Sequence, residues 1–275
     1  MRKIIHTIDQ KKMIFYLIIE GKKIGFYLTN RLSKIFFEYL DKGVLVDFEI
    51  QPKMKKIGQL HVYQVAHFNQ IVQLNPYRVH YDLYQLRDDM RKVLHQDRYY
   101  LFIDFEMTMP GYKDEAFRAE IIQAGYLLSK AKENAVLHDG YYILPKLNQT
   151  LSKRTKRFLN LDEEKFFQEA RPYDEFYDKL ASIMETYHPK LVVWGKNDLT
   201  ALNDSFILHQ KKKITDDYDF IDLLKLHKDY FNLKDDLGLF KAYQTYYKID
   251  FDQDHDAKDD AFVTKLVFDA FISYM

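Results

Sequence analysis

The chain has 275 residues, enough for two ordinary domains, and its 47% hydrophobic and 30% charged content allows a buried core rather than disorder. Cysteine is absent, which excludes a disulfide framework, a Cys-ligated zinc or iron–sulfur centre and a thiol nucleophile. No apolar run approaches the roughly 20 residues of a membrane span, and the cations Arg2 and Lys3 are not followed by a signal-like apolar stretch, so a cytoplasmic protein without a membrane role is expected.

The front of the chain reads mainly as strands. Met13 to Ile19 and Ile24 to Leu28, joined through Glu20-Gly21-Lys22-Lys23, form a hairpin pattern. Residues 31–41 have helical spacing, and Val44 to Ile50 and His61 to Leu74 add further strands. So many short strands within residues 1–75 point to closure into a small barrel. From Tyr77 to His95, Val79, Leu83, Leu86, Met90 and Leu94 recur at steps of three and four. The spacing predicts a connecting helix over residues 76–97.

Beyond residue 98 the pattern becomes mixed α/β. Strands are expected at Tyr99–Phe105, Glu120–Leu128, Tyr141–Leu144 and Leu191–Trp194. Helices are expected near 172–187, 199–210, 223–231 and 237–247, and from about Asp256 onward. The result is a mixed sheet with helices on its faces.

Zero net charge conceals an uneven distribution. Residues 1–98 hold 17 Lys+Arg against 10 Asp+Glu, and the remainder holds 24 against 31. A basic front and an acidic back suit a polyanion-binding module joined to a cation-binding one.

Within the acidic part, Ile103-Asp104-Phe105-Glu106 places two carboxylates on one strand face. Such a pair repels unless protonated or bridged by a hard cation such as Mg²⁺ or Mn²⁺. Asp47-Phe48-Glu49 repeats the tripeptide and is a decoy by its context. Only the second pair is followed by Trp194-Gly195-Lys196-Asn197-Asp198 and by His255-Asp256-Ala257-Lys258-Asp259-Asp260. Both segments put acids where strands end or helices begin, and a neutral imidazole at such a site can take a proton from water.

In this order the motifs resemble the DEDDh 3′–5′ exonuclease family: Asp104 and Glu106, then Asp198, then His255 followed five residues later by Asp260. Glu120-Ile121-Ile122-Gln123-Ala124-Gly125 and Phe220-Ile221-Asp222-Leu223 support the match, and Trp194-Gly195 brings it nearest the KapD/Eri type. The resemblance covers residues 98–275. It implies a ribonuclease H-like fold with a five-stranded mixed sheet. It also implies two divalent cations held by Asp104, Glu106, Asp198 and Asp260, with His255 as general base and Met107 and Thr108 against the terminal nucleotide. The implied activity is removal of nucleoside 5′-monophosphates from the 3′ end of single-stranded RNA or DNA, leaning towards RNA. The alternative is a binding or adaptor protein on the same fold, and the oligomeric state is open.

Residues 1–75 loosely resemble an OB-fold or cold-shock-like domain. Lys22-Lys23-Ile24-Gly25-Phe26-Tyr27 mixes cations and aromatics, so Phe26 and Tyr27 are candidates to stack unpaired bases.

Overall fold

The computed structural model describes residues 1–111, 117–148, 150–249 and 255–275. The chain divides into two units, Met1–Lys92 and Val93–Met275.

In the first unit, β1 (Arg2–Ile4), β2 (Thr7–Asp9), β3 (Ile14–Ile19) and β4 (Lys22–Tyr27) precede the helix α1 (Asn30–Phe36). The long strands β5 (Leu45–Ile57) and β6 (Leu60–Leu74) follow, then β7 (Tyr77–Asp82) and α2 (Leu83–Leu94). The sheet order is β1-β5-β6-β4-β3-β2, with β4 and β6 parallel and β7 appended to β6. The two ends of that order are consecutive in sequence. Ile5 donates to the Val44 carbonyl, and the next amide, His6, donates to Tyr16, so one bent strand joins both edges into a barrel. Its interior is aromatic: Phe15, Phe26, Phe48 and Phe68 are fully buried, and Phe26 lies 5.4 Å from Phe15 and 5.0 Å from Phe48.

This packing removes Phe26 from the base-stacking candidates, because its ring fills the core. Tyr27, on the opposite strand face, stays partly exposed with the Lys55 ammonium 4.6 Å above its ring. The expected helix over 76–97 is also shorter than the periodicity suggested. Tyr77–Asp82 pairs with β6 as a strand, and Asp82 accepts from the amides of Tyr84 and Gln85, starting the helix at Leu83. Val79, counted in the helical stripe, faces Val72 across a hairpin instead.

In the second unit, β8 (Tyr99–Met107), β9 (Ile121–Lys130) and β10 (Leu137–Tyr142) form an antiparallel meander. The helices α3 (Lys153–Phe158), α4 (Glu163–Glu169) and α5 (Tyr173–Tyr187) follow, then β11 (Lys190–Val193) and α6 (Asn197–Leu208). After them come β12 (Phe220–Asp222), α7 (Leu223–Phe231), α8 (Leu239–Tyr247) and α9 (Ala257–Tyr274). The five-stranded order is β10-β9-β8-β11-β12, with β11 parallel to both β8 and β12. This is the mixed sheet of a ribonuclease H-like fold. The third strand lies at 137–142 rather than 141–144.

Alternation along β8 sends Leu101, Ile103 and Phe105 into the core shared with Phe176, Leu180, Leu202 and Phe206. The other face carries Tyr100 and Phe102 against Phe268 of α9, at 4.8 and 5.2 Å between rings. That face also carries Asp104 and Glu106.

Two glycines let α9 come close to the sheet. Gly125 and Gly140 are partners across β9 and β10. A Cβ on Gly125 would fall 2.0 Å from the Ala257 carbonyl oxygen, and one on Gly140 2.7 Å from Cβ of Lys258. Gly125→Ala should therefore force the first turn of α9 outward, at a cost of about 1–3 kcal/mol. Thermal unfolding should shift down by several degrees, whereas Gly111→Ala, with open space around it, should shift little. Equal melting of the two variants would refute the close seat.

Candidate active site

The site forms where β8, β11 and α9 meet at the carboxyl end of the central strand. Asp104 is half-buried and Glu106 is buried on the β8 face toward α9. β11 pairs with β8 only as far as Phe102, so the Phe105 amide lies beyond its ladder. Asp198, in the first turn of α6, takes that amide with Oδ1 at 3.0 Å. A backbone group left over by a short strand thus fixes the third acid.

Asp260 is buried one turn into α9, while its neighbour Asp259 is exposed. His255 stands ahead of the helix with φ of 50°, its Nδ1 4.0 Å from Oε1 of Glu106. One ligand atom each from Glu106, His255 and Asp260 can be chosen so that all three lie within 4.8 Å of one another. The structure therefore brings Asp104, Glu106, Asp198, His255 and Asp260 together. Met107 ends β8 and Thr108 follows it, whereas Phe26 and Tyr27 belong to the barrel unit. Asp47 and Glu49 flank the core residue Phe48 on β5 of that same unit.

Electrostatics express the crowding. Burial raises the Asp104 carboxyl well above its ordinary range, and the negative charges of Asp198, Asp260, Glu106 and Asp256 raise it further. Glu106 is pushed up to about 8, by burial first and then by Asp260, Asp198 and Asp256. Asp198 is pushed up to about 7 by burial, although the Phe105 amide and its own amide oppose the shift. Such a set is short of positive charge, and its oxygen donors suit Mg²⁺ or Mn²⁺. The residues present fit a divalent metal centre.

Several supporting residues escaped the sequence reading. Gln123 lies opposite Glu106 in the β8–β9 register. Its Nε2 donates to Asp256 at 2.8 Å, while Asp256 also accepts from the amides of Lys258 and Asp259 and so caps α9. Gln123 and Asp256 together fix the turn that carries His255. The signal was present, since Gln123 and Gly125 sit within the phrase following the first acidic pair. Phe158 gave no signal: it ends the short helix α3, and its ring lies 4.1 Å from that of His255, tilted by 33°.

The second unit thus sets a cluster of acids at the end of the central strand of a ribonuclease H-like sheet. No family model matches the chain. The probable 3′–5′ exonuclease KapD of Bacillus subtilis (strain 168) is 28% identical over 170 residues, spanning 61% of this chain and 82% of the relative. The nuclease domain of 3′hExo, a DEDDh family member solved bound to rAMP, superposes with a TM-score of 0.54 at 18% identity, covering 63% of this chain and 90% of that one. Cell-death related nuclease 4 (CRN-4) gives 0.54 at 18% identity, covering 65% and 64%. The solved structures establish the shared fold. The sequence likeness to KapD supports a 3′–5′ exonuclease. No helix among the described residues is long and apolar enough to cross a membrane.

The raised carboxyls give a pH prediction. In the unfolded chain Asp198 and Glu106 lose their protons near 3.8 and 4.5, but the folded site holds them to about 7 and 8. The folded state thus keeps protons that the unfolded state has released, and stability falls as pH rises from about 5 to 8. With a chelator present, melting should drop across this window, and Glu106→Gln should flatten the drop. Added Mn²⁺ should stabilise more at pH 8 than at pH 6. Parallel pH curves for wild type and Glu106→Gln would show that the repulsion is absent.

Proposed function

We propose that the chain hydrolyses single-stranded RNA or DNA from a free 3′ end, with RNA slightly favoured, releasing nucleoside 5′-monophosphates. The observation that carries this reading is the close grouping of Glu106, His255 and Asp260 within the fields of Asp104 and Asp198. Asp104, Glu106, Asp198 and Asp260 would hold two divalent cations. Bound there, the cations supply neutralisation of phosphodiester charge and acidification of water.

The protein's own residues account for the rest. His255, held by the Gln123–Asp256 turn and by the ring of Phe158, accepts the proton of the attacking water. The water oxygen bonds to phosphorus, and the bond from phosphorus to the 3′ oxygen of the penultimate nucleotide breaks. The terminal nucleotide leaves with the phosphate on its 5′ oxygen, and the freed 3′ oxygen takes up a proton from solvent.

Next to this centre, a cavity of about 490 Å³ is lined by Thr108, Met109, Phe117, Leu147, Asn148 and Ser152, among others. Its volume falls in the range of small-ligand sites, and Thr108 is two residues after Glu106, just past the end of β8. We assign it to the terminal nucleotide, with Met107 and Thr108 at its entrance. On the barrel, Tyr27 with Lys55 above it is the surface that remains for unpaired bases, and the basic composition of the front of the chain favours a polyanion.

With 5′-labelled single-stranded RNA and Mg²⁺ or Mn²⁺, a ladder shortening from the 3′ side is expected. Asp104→Ala should abolish it, His255→Ala should slow it about 10²-fold or more, and Asp47→Ala should leave it nearly unchanged. Internal cuts, or equal losses at Asp104 and Asp47, would overturn the reading.

A further inference from the structure

The cavity beside Thr108 has a wall built on a carboxylate that takes no part in the acid cluster. Glu120 is 4% exposed, deeper than Glu106 at 9%, yet its oxygens are occupied by N–H groups. Oε1 accepts from the amides of Lys146 at 2.5 Å and Leu147 at 3.0 Å. Oε2 accepts from Leu147 at 3.0 Å, from the Asn148 amide at 2.7 Å and from Asn148 Nδ2 at 2.5 Å. The backbone of Glu120 is tied in turn to Thr108: its amide donates to Thr108 Oγ1 and its carbonyl accepts from the Thr108 amide, both at 2.9 Å. One residue therefore fixes the two sides of the cavity, the strand end at Thr108 and the loop at 146–148, against each other.

The same bonds settle the orientation of the Asn148 amide. Its nitrogen faces the Glu120 carboxylate, Thr108 Oγ1 at 3.5 Å and the Arg118 carbonyl at 3.3 Å. The carboxylate and the carbonyl can only accept, so the group facing them must be the NH₂. Among the described residues the amide oxygen has no hydrogen-bond partner, and Asn148 lines the cavity. An amide oxygen is an acceptor.

We infer that Glu120 is a positioning residue for substrate. It locks the 146–148 loop so that Asn148 Oδ1 accepts a hydrogen bond from a sugar hydroxyl of the terminal nucleotide. This rests on the assignment of the cavity to that nucleotide. The chemistry recognised is a hydroxyl donor on the ribose, either the 2′ or the 3′ group. A carboxylate is required because a glutamine in its place has one accepting oxygen and sets an NH₂ against amides that already donate.

The test uses the full chain with Mn²⁺ and three single-stranded oligonucleotides ending in ribose, 2′-deoxyribose or 3′-deoxyribose. Glu120→Gln should raise KM about tenfold while kcat stays within about twofold, the split expected when ground-state positioning is lost. The Mn²⁺-induced rise in melting temperature should be unchanged, which separates positioning from collapse of the metal centre. Asn148→Ala should raise KM about fivefold to tenfold on the ribose end and abolish the discrimination against whichever deoxy end the wild type disfavours. Asn148→Asp, which keeps an accepting oxygen but loses the side-chain N–H donated to Glu120, should behave like Glu120→Gln. Unchanged KM in folded Glu120→Gln, or loss of kcat together with the Mn²⁺ response, would overturn the inference, as would a wild type indifferent to both terminal hydroxyls. Calorimetric binding of adenosine 5′-monophosphate to wild type and Asn148→Ala gives a readout independent of turnover. A wild type that binds the nucleotide but cuts nothing defeats the exonuclease reading, and one that cuts with Asn148 and Glu120 dispensable defeats only this one.

Discussion

The second unit is organised around the cost of keeping like charges close together in a partly dry pocket. Carboxylates at this spacing raise one another's proton affinity, and burial adds to the effect. Left to themselves they would swing apart or protonate, so each needs a separate tether. Asp104 and Glu106 are held by the alternation of a central strand whose odd-numbered residues are locked in the core. Asp198 is held by the amide of Phe105. Asp260 is held because α9 is seated on Gly125 and Gly140 more closely than any side chain there would permit. The glycines thus belong to the site as much as the acids do, although they carry no chemistry.

The barrel unit has a different logic. Its single bent strand, paired first with β5 and then with β3, removes the exposed edges that a short open sheet would present. Closure requires a filled interior, and four phenylalanines supply it. This is why the Phe26-Tyr27 pair divides its roles: neighbouring residues on a strand point to opposite faces, so only one can be outside. The tyrosine, whose hydroxyl tolerates water, is the one beneath Lys55.

Much of this was legible in the sequence, for identifiable reasons. α5, α7 and α9 carry long apolar stripes, and β8 and β11 are bounded runs of strand-forming residues, so their positions follow from periodicity. The acids could be ordered because each lies at a strand end or helix start. Elements whose identity depends on partners were not readable. β10, with His138, Asp139 and Gly140 at its centre, is a strand because β9 lies beside it. β7 continued a helical stripe by accident, and only its hairpin with β6 and the cap at Asp82 show the boundary. The helices α3 and α4 are six and seven residues long, too short for a period to register. With α3 unread, the contact of Phe158 on His255 could not be foreseen.

Glu106 and Glu120 show why acid content alone does not locate a metal centre. Both are buried glutamates in the same unit, on neighbouring strands or their ends. Glu120 meets four N–H groups and is satisfied as an anion by the chain itself. Glu106 meets, among the described residues, other carboxylates and the imidazole of His255. A buried charge with donors around it stabilises the local structure. One surrounded by like charges is a deficit that a proton or a cation must fill. Sequence supplies the glutamates but not their neighbours, and the difference between scaffold and site arises from which N–H groups the fold directs to each of them.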